Sequence, residues 1–273
     1  MLNGLDIFSG IGGLTIALSP WVRPVAYCEN DRYATAVLLS RMATGELPIA
    51  PIWDDVRTLD VSGTSGIDII YGGFPCQDVS LAGSRKGLEG ERTGLFREAI
   101  RLVRECRPSF VFFENVPGIR NHVQTVRAEL EAAGYDCRDG FLSAAEVGAP
   151  HYRNRWWLLA HAHGINGRDS EEQSPKREGK AILSDHGEAQ SLVNPKGERI
   201  GGEVGNFLKK NGRPLGEMLQ QFDGASWWAT EPSVGRVANG VPLRLDRIRG
   251  LGNAVVPECA RQAFMILMGL GGA

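Results

Sequence analysis

The most apolar stretch of the chain is Phe110-Val111-Phe112-Phe113, and it ends at a carboxylate, Glu114. A short, wholly apolar run of this kind predicts a central strand that is buried on both faces of a sheet. Other strands are predicted at residues 5–8, 25–27, 52–56, 67–71, 138–142 and 156–160, and helical stretches at 33–42, 94–106, 121–133 and 258–269. This alternation predicts an open, mostly parallel α/β sheet.

The first two predicted strands end in residues suited to a cofactor. Ser9-Gly10-Ile11-Gly12-Gly13 follows the first strand and opens a helix. Such a turn lets the backbone approach a ligand at the helix N-terminus, although an ordinary tight turn has the same appearance. Glu29 ends the second strand about twenty residues later, the distance at which such folds place an acid on a ribose. A solvated acid at a strand end is the alternative.

A cysteine follows the strand at 67–71, within Gly72-Gly73-Phe74-Pro75-Cys76-Gln77. Ligands bind at the carboxyl ends of strands in open α/β sheets, so Cys76 and Glu114 are expected at one edge. Cys76 is either a reactive group there or a small buried hydrophobe. Arg153 and Arg155 alternate on an extended segment and should face one side, unless they are two ordinary surface arginines.

Composition restricts the class of protein. The chain has 273 residues, is 42% hydrophobic and carries a formal net charge of -2. It can bury a large core, and any surface for a polyanion must be local. Five cysteines, odd in number and scattered, do not indicate a disulfide framework. Without a signal peptide or a membrane-spanning run, the sequence is expected to be a soluble, intracellular, cytoplasmic protein.

Five motifs together resemble those of one family, the DNA (cytosine-5) methyltransferases of bacteria and phages. In chain order they are Phe8-Ser9-Gly10-Ile11-Gly12-Gly13, Pro75-Cys76-Gln77, Glu114-Asn115-Val116, Arg153-x-Arg155 and Gly252-Asn253-Ala254-Val255. Between them, Ser80, Gly83, Gly87, Arg92 and Leu95-Phe96 are similar to that family's catalytic loop and the helix after it. The resemblance covers nearly all of residues 1–160 and 236–270, and five motifs in the right order are far more specific than any one of them.

The resemblance implies a Rossmann-like, S-adenosylmethionine-dependent methyltransferase sheet with a small inserted target-recognition domain. The catalytic and cofactor-binding domain would be residues 1–163, the recognition domain with a mobile polar segment 164–239, and a segment returning to the catalytic domain 240–273. Phe8 and the loop Ser9, Gly10, Ile11, Gly12 and Gly13 would hold adenosine and methionine. Glu29 would bind the ribose hydroxyls and Asp55 the adenine amino group, with Pro75, Asn253 and Ala254 beside the cofactor.

The residue types also suit the reaction. Cytosine C5 is a poor nucleophile, so a thiolate must first add at C6 and make C5 enamine-like. A carboxylic acid at N3 assists that addition, and arginine near O2 stabilises the developing charge. Cys76 is the predicted nucleophile and Glu114 the acid. By resemblance, Arg155 and Arg153 lie near O2.

Double-stranded DNA is the implied partner, and the target base must be flipped out of the duplex before Cys76 can reach it. The phosphate contacts predicted in and around the catalytic loop and in the C-terminal part are Ser80, Arg85, Lys86, Arg92, Arg236 and Arg244. A solvated basic face is the alternative for the C-terminal arginines. The sequence is further expected to act as a monomer without metal or membrane, and a cognate restriction endonuclease is an allowed partner.

Three other functions are less well supported by the sequence, and the tRNA enzyme and the silent DNA-binding protein stay as alternatives. A tRNA cytosine-5 methyltransferase shares the motifs but usually carries a Cys-Phe-Thr signature, which is absent. A zinc base deaminase needs a second cysteine where this chain has Val79. A catalytically silent DNA-binding protein would lack Cys76 or Glu114. Two positions depart from the family pattern: His151 replaces a common glutamine, and Asn30 stands where an aromatic residue often stacks on adenine.

Overall fold

The computed structural model describes residues 1–62, 64, 66–75, 94–163 and 244–270. Within these residues seven strands form one sheet in the order β3-β2-β1-β4-β5-β7-β6. The strands are β1 Leu2–Ile7, β2 Val22–Cys28, β3 Ile52–Trp53, β4 Ile69–Gly73, β5 Phe110–Asn115, β6 Tyr135–Ser143 and β7 Asn154–Ala162. The helices are α1 Gly13–Leu18, α2 Arg32–Ala43, α3 Leu95–Cys106, α4 Val123–Ala132, α5 Arg244–Asn253 and α6 Pro257–Met268.

The first five strands are parallel to one another, and β7 runs antiparallel to both β5 and β6. All six residues of β5 are buried, as its apolar sequence predicts for a central strand. The predicted α/β class and its mostly parallel sheet are therefore confirmed. Because β7 is reversed, its first residues lie at the edge where the parallel strands have their last ones.

Helices cover both faces of the sheet, and each face has its own apolar core. On one face α3 and α4 contribute Phe96, Ile100 and Leu130. On the other, α1 and α6 pack against each other and on the sheet, and Phe264 of α6 meets Phe112 of β5 edge to face at 5.2 Å between ring centroids. In the described ranges no helix has both the length and the apolar character that crossing a bilayer requires.

Several element boundaries differ from those predicted. The first strand ends at Ile7 instead of residue 8, because Phe8 has a positive φ of 54° that leaves the extended conformation. The strand predicted at 52–56 contains only Ile52–Trp53. The helix predicted at 121–133 begins at Val123, since Pro117–His122 form a 3-10 turn.

β4 and β1 approach closely at Gly72, where an added Cβ would lie 2.0 Å from the carbonyl oxygen of Ile7. We expect Gly72→Ala to force the strands apart and to lower the free energy of unfolding by about 3 kcal/mol. Chemical denaturation measures this change. Gly252→Ala is the control, because nothing lies within 4 Å of its added Cβ, and it should change stability by at most about 1 kcal/mol. Equal stabilities of the two variants would contradict the prediction.

Candidate active site

A cavity of about 470 Å³ opens at the edge of the sheet where the parallel strands end. Its walls come from the residues after β1 to β5, from the start of β7 and from α5. The predicted site residues that line it are Phe8, Gly10, Ile11, Glu29, Asp55, Pro75, Glu114, Arg155, Asn253 and Ala254. The chain thus brings residues from five separate motifs to one concave surface, which is the usual form of a ligand site.

The other predicted residues are placed differently. Ser9, Gly12, Gly13 and Arg153 are described but do not line the cavity. Arg244 begins α5, and its side chain lies outside the described part of the structure. The predicted nucleophile and DNA contacts that lie outside the described residues are Cys76, Ser80, Arg85, Lys86, Arg92 and Arg236.

The glycine loop, residues Ser9–Gly13, is tied to the end of β2 through Glu29. The amide of Gly10 donates to Glu29 Oε2 at 2.7 Å, and the amide of Asp31 donates to Oε1 at 2.8 Å. Burial raises the pKa of Glu29, and these amide hydrogen bonds oppose the rise. The backbone amide of Asn30 is a third donor to this carboxylate, and since an ionised carboxylate has about four acceptor sites, at least one remains. Glu29 can therefore accept from a hydroxyl group in the cavity.

Asp55 follows β3 and lies at the margin of the cavity. Its carboxylate receives the guanidinium of Arg57, with Nη2 at 2.8 Å from Oδ2 and Nε at 2.9 Å from Oδ1. These bonds to Arg57 lower the pKa of Asp55. Asp55 is therefore an ionised hydrogen-bond acceptor in the cavity wall, and Arg57 already donates to its carboxylate.

Glu114 lies next to the end of β5, lines the cavity and has a strongly raised pKa. Its Oε1 lies 2.7 Å from Nε of Arg155, and an added Cβ on Gly73 would be 2.7 Å from Oε2. Glycine at position 73 therefore gives the carboxyl group room beside the strand that leads to Cys76. Burial raises the pKa of Glu114 to about 7, against the lowering effect of Arg155 and Arg153. Near neutral pH this carboxyl group can both hold and release a proton.

The two arginines that alternate in sequence have different partners. Arg155, the second residue of β7, pairs with Glu114. Arg153 precedes β7, and its Nη2 donates to the carbonyl oxygen of Gly252 at 2.7 Å and to that of Ala254. One arginine thus contacts the acid, and the other holds the end of α5 that lines the cavity.

Sequence reasoning missed two contributors to this surface. The side-chain amide of Asn115 donates to the carbonyl oxygen of Phe74 at 2.8 Å and so fixes the backbone two residues before Cys76. In α5, Asp246, Arg249 and Gly250 line the cavity, and Arg249 Nη1 lies 3.4 Å from Asp31 Oδ2. Asn115 was visible within the motif Glu114-Asn115-Val116, but the sequence assigned it no role. The sequence groups Arg249 with Arg236 and Arg244 as candidate phosphate contacts or a solvated basic face, and does not predict that it lines the cavity.

Comparison with known proteins identifies the family. The model of the C-5 cytosine-specific DNA methylase family matches residues 2–221. The chain belongs to this family. It is 32% identical to the type II methyltransferase M.HhaI of Haemophilus parahaemolyticus over 171 residues, which are 60% of this chain and 50% of M.HhaI. It is 33% identical to M.CviJI of Paramecium bursaria Chlorella virus IL3A over 159 residues, 57% of this chain and 42% of that protein. The chain therefore spans about half the length of these curated relatives.

Solved structures support the same fold. A mutant of Spodoptera frugiperda DNMT2 superposes with a TM-score of 0.62 at 15% identity, covering 98% of this chain and 99% of that one. Schizosaccharomyces pombe Dnmt2 methyltransferase gives 0.58 at 18% identity, covering 98% of each chain. The predicted family and Rossmann-like fold are confirmed. So is the cofactor expected for this family of C-5 methylases, S-adenosylmethionine, and the cavity offers it acceptors at Glu29, backbone at Gly10 and an apolar wall at Phe8.

The different partners of Arg153 and Arg155 lead to a prediction for cofactor affinity. We expect Arg153→Ala to weaken S-adenosylmethionine binding about ten-fold, because two carbonyl oxygens beside the cavity lose a charged donor. Arg153→Lys should recover part of the loss. Arg104→Ala is the control, since Arg104 forms an exposed pair with Glu129. Equilibrium dialysis measures the affinities, and unchanged affinity with lost turnover would instead mean that Arg153 acts on the cytosine.

Proposed function

We propose that this chain transfers the methyl group of S-adenosylmethionine to C5 of a flipped-out cytosine in a specific sequence of duplex DNA. One observation carries the proposal: the buried Glu114, with a pKa near 7, faces the same cavity as Glu29 and Pro75, the residue before Cys76. A proton donor, a nucleophile and a cofactor-sized pocket are the parts that this reaction needs.

Cys76 begins the proposed reaction as a thiolate that adds to C6 of the cytosine ring. Glu114 donates a proton to N3 as this bond forms, so the ring does not carry the negative charge. The electron pair released toward C5 makes that carbon nucleophilic. S-adenosylmethionine would supply the electrophilic methyl group for C5 and be left as S-adenosylhomocysteine. Transfer of the C5 proton to water then allows the thiolate to leave, Glu114 takes back its proton from N3, and the product is 5-methylcytosine.

Arg155 has two proposed tasks in this scheme. Its Nε holds Oε1 of Glu114, which leaves Oε2 to carry the proton toward the base. Its remaining N–H groups can donate to O2 of the same ring and stabilise the charge that develops there. Arg153 contributes positive charge from further away, because its guanidinium is engaged by the 252–254 segment.

The rest of the proposal concerns DNA. Residues 164–239 would form the target-recognition domain, and the basic residues of 78–95 would close over the phosphate backbone around the flipped base. Arg236 and Arg244 would contact phosphates on the other side. We further propose a cytoplasmic monomer, acting with or without a restriction endonuclease of the same specificity.

Methyl transfer from labelled S-adenosylmethionine, measured side by side on duplex DNA and on tRNA, tests the proposal. We expect label in DNA, and bisulfite sequencing should place 5-methylcytosine within one short sequence. Label in tRNA alone would favour the tRNA methyltransferase. Label in neither, with tight DNA binding, would favour a silent DNA-binding protein.

A further inference from the structure

Three buried side chains that do not line the cavity form a hydrogen-bonded chain, and the proposed reaction uses none of them. They are Asp6 of β1, Thr15 of α1 and Tyr71 of β4, all with at most 1% of their surface exposed. Thr15 Oγ1 donates to Asp6 Oδ2 at 2.6 Å and lies 2.8 Å from Tyr71 Oη. Either hydroxyl can be the donor in the second bond, and Tyr71 is the donor whenever Thr15 gives its single hydrogen to Asp6.

The other carboxyl oxygen of Asp6 has no hydrogen-bond partner within the described residues. The nearby hydroxyl of Ser9 does not serve it, because Ser9 Oγ donates to the carbonyl oxygens of Asp6 at 2.9 Å and Cys28 at 3.3 Å. A buried carboxylate with an unpaired oxygen is costly, whereas a neutral carboxyl group is tolerated. Burial accordingly raises the pKa of Asp6 to about 7, although the hydrogen bond from Thr15 opposes the rise.

These hydrogen-bonded side chains connect two of the backbone segments that reach the cavity, the glycine loop and the end of β4. Asp6 and Thr15 lie on either side of the glycine loop, Ser9–Gly13. Tyr71 lies on β4, directly before the glycines that lead to Pro75. A rearrangement at the Asp6 carboxyl group can therefore reach the loop through Thr15 and the start of α1.

We propose that Asp6 is a positioning residue whose neutral carboxyl group, bonded through Thr15 to Tyr71, keeps the glycine loop in the conformation that binds the cofactor. Ionisation of Asp6 favours rearrangement of the loop toward a partner or water for the unpaired oxygen, and cofactor binding weakens. The proposal rests on the proposed function, because it concerns the cofactor site of that reaction.

The groups around Asp6 do not offer it a counter-ion. From β2 it faces Tyr27, Cys28 and Glu29, and the charge of Glu29 raises the pKa of Asp6 further. From β4 it faces Tyr71, and from α1 it faces Thr15. The cation that α6 places against α1 is Arg261, and that guanidinium is held by Glu258 at 3.1 Å and donates to the carbonyl oxygen of Ala17. Ionised Asp6 therefore gains no direct charge partner among these groups.

The test is the affinity of the whole chain for S-adenosylhomocysteine, measured by titration calorimetry between about pH 6 and about pH 8.5. In the wild type we expect Kd to be constant at low pH and to rise above an inflection, by up to about ten-fold per pH unit. Asp6→Asn mimics the neutral acid and should bind with a flat profile across this range.

Two threonine variants separate this role from simple packing. Thr15→Val keeps the shape but removes the hydroxyl that stabilises ionised Asp6, so the inflection should move to higher pH. Thr15→Ser keeps the hydroxyl and should retain the wild-type inflection. These variants also test the proposal if Asp6→Asn does not fold, which thermal unfolding would show.

Glu114→Gln is the second control, because Glu114 also titrates near pH 7 and lines the same cavity. We expect it to keep the inflection. An inflection that persists in Asp6→Asn, or that disappears in Glu114→Gln, would overturn the proposal. So would affinity for cationic S-adenosylmethionine that rises with pH, because ionised Asp6 would then assist binding. If the wild type bound neither ligand at any pH, the proposed function itself would fail.

Discussion

Glu114→Gln should lose about 10²- to 10⁴-fold in the rate of methyl transfer to DNA, the range over which a positioned proton donor acts. Glutamine has nearly the same shape and can still donate a hydrogen bond, but it has no acidic proton to give to N3. Single-turnover assays with saturating DNA and labelled S-adenosylmethionine measure the rate. A rate within a few-fold of the wild type would remove Glu114 from the proposed mechanism.

The pH dependence of the same rate gives an independent check. Because burial raises the pKa of Glu114 to about 7, the protonated donor predominates below that pH and is depleted above it. The wild-type rate should therefore fall on the alkaline side, and the residual rate of Glu114→Gln should lack that fall. Glu129→Gln is the matched control, since Glu129 pairs with Arg104 at 2.8 Å on the surface. It should keep both the rate and the pH profile.

Cys76→Ser should abolish methyl transfer, with a fall on the order of 10⁵-fold or more, as expected when a covalent nucleophile is lost. A serine hydroxyl is not ionised near neutral pH and adds to C6 far less readily than a thiolate. S-adenosylhomocysteine should bind to the variant as it does to the wild type, because cofactor contacts are proposed for Phe8, Glu29 and the glycine loop. Calorimetry and the labelled-methyl assay separate these two outcomes.

Trapping the covalent adduct makes the cysteine experiment decisive. Duplex DNA with 5-fluorocytosine at the target position cannot lose its C5 substituent as a proton, so the enzyme should remain attached through Cys76. We expect a complex that resists denaturation with the wild type and with Cys106→Ser, a control in α3 outside the cavity. Cys76→Ser should give none, and an adduct with this variant would assign the nucleophile to another residue.

The central strand β5 could be predicted because its apolar pattern lies within consecutive residues. The uninterrupted apolar run of β5 requires burial on both faces, and Glu114 directly after it must lie at the strand's carboxyl end. The cavity could also be anticipated, since parallel strands place their final residues at one edge. The roles assigned to the individual site residues stay predictions until the variants are measured.

Other features depend on contacts between distant parts of the chain. The alternation of Arg153 and Arg155 predicts a common side, but the partner of Arg153 is a carbonyl group 99 residues away. The helix α5 contains Gly250 and Gly252, which disfavour helices when considered locally. At Gly250 the helix packs against Tyr33 and Ile11, a contact that no local pattern reveals. The hydrogen bonds of Asp6 likewise could not be predicted, because Asp6 lies within the short strand predicted at residues 5–8 and its partner Tyr71 is distant in sequence.

The packing of α6 on α1 has a consequence for how this protein can diversify. Arg261 of α6 donates to the carbonyl oxygen of Ala17 at 3.1 Å, so the last described helix is attached to the first. Within the described residues, the core on the α3 and α4 face comes from residues before 164, whereas the core on the α1 and α6 face and the cavity combine residues before 164 with residues after 243. The segment to exchange is then the proposed target-recognition domain, residues 164–239. Replacing them with the matching segment of another family member should transfer its sequence specificity and leave cofactor affinity unchanged.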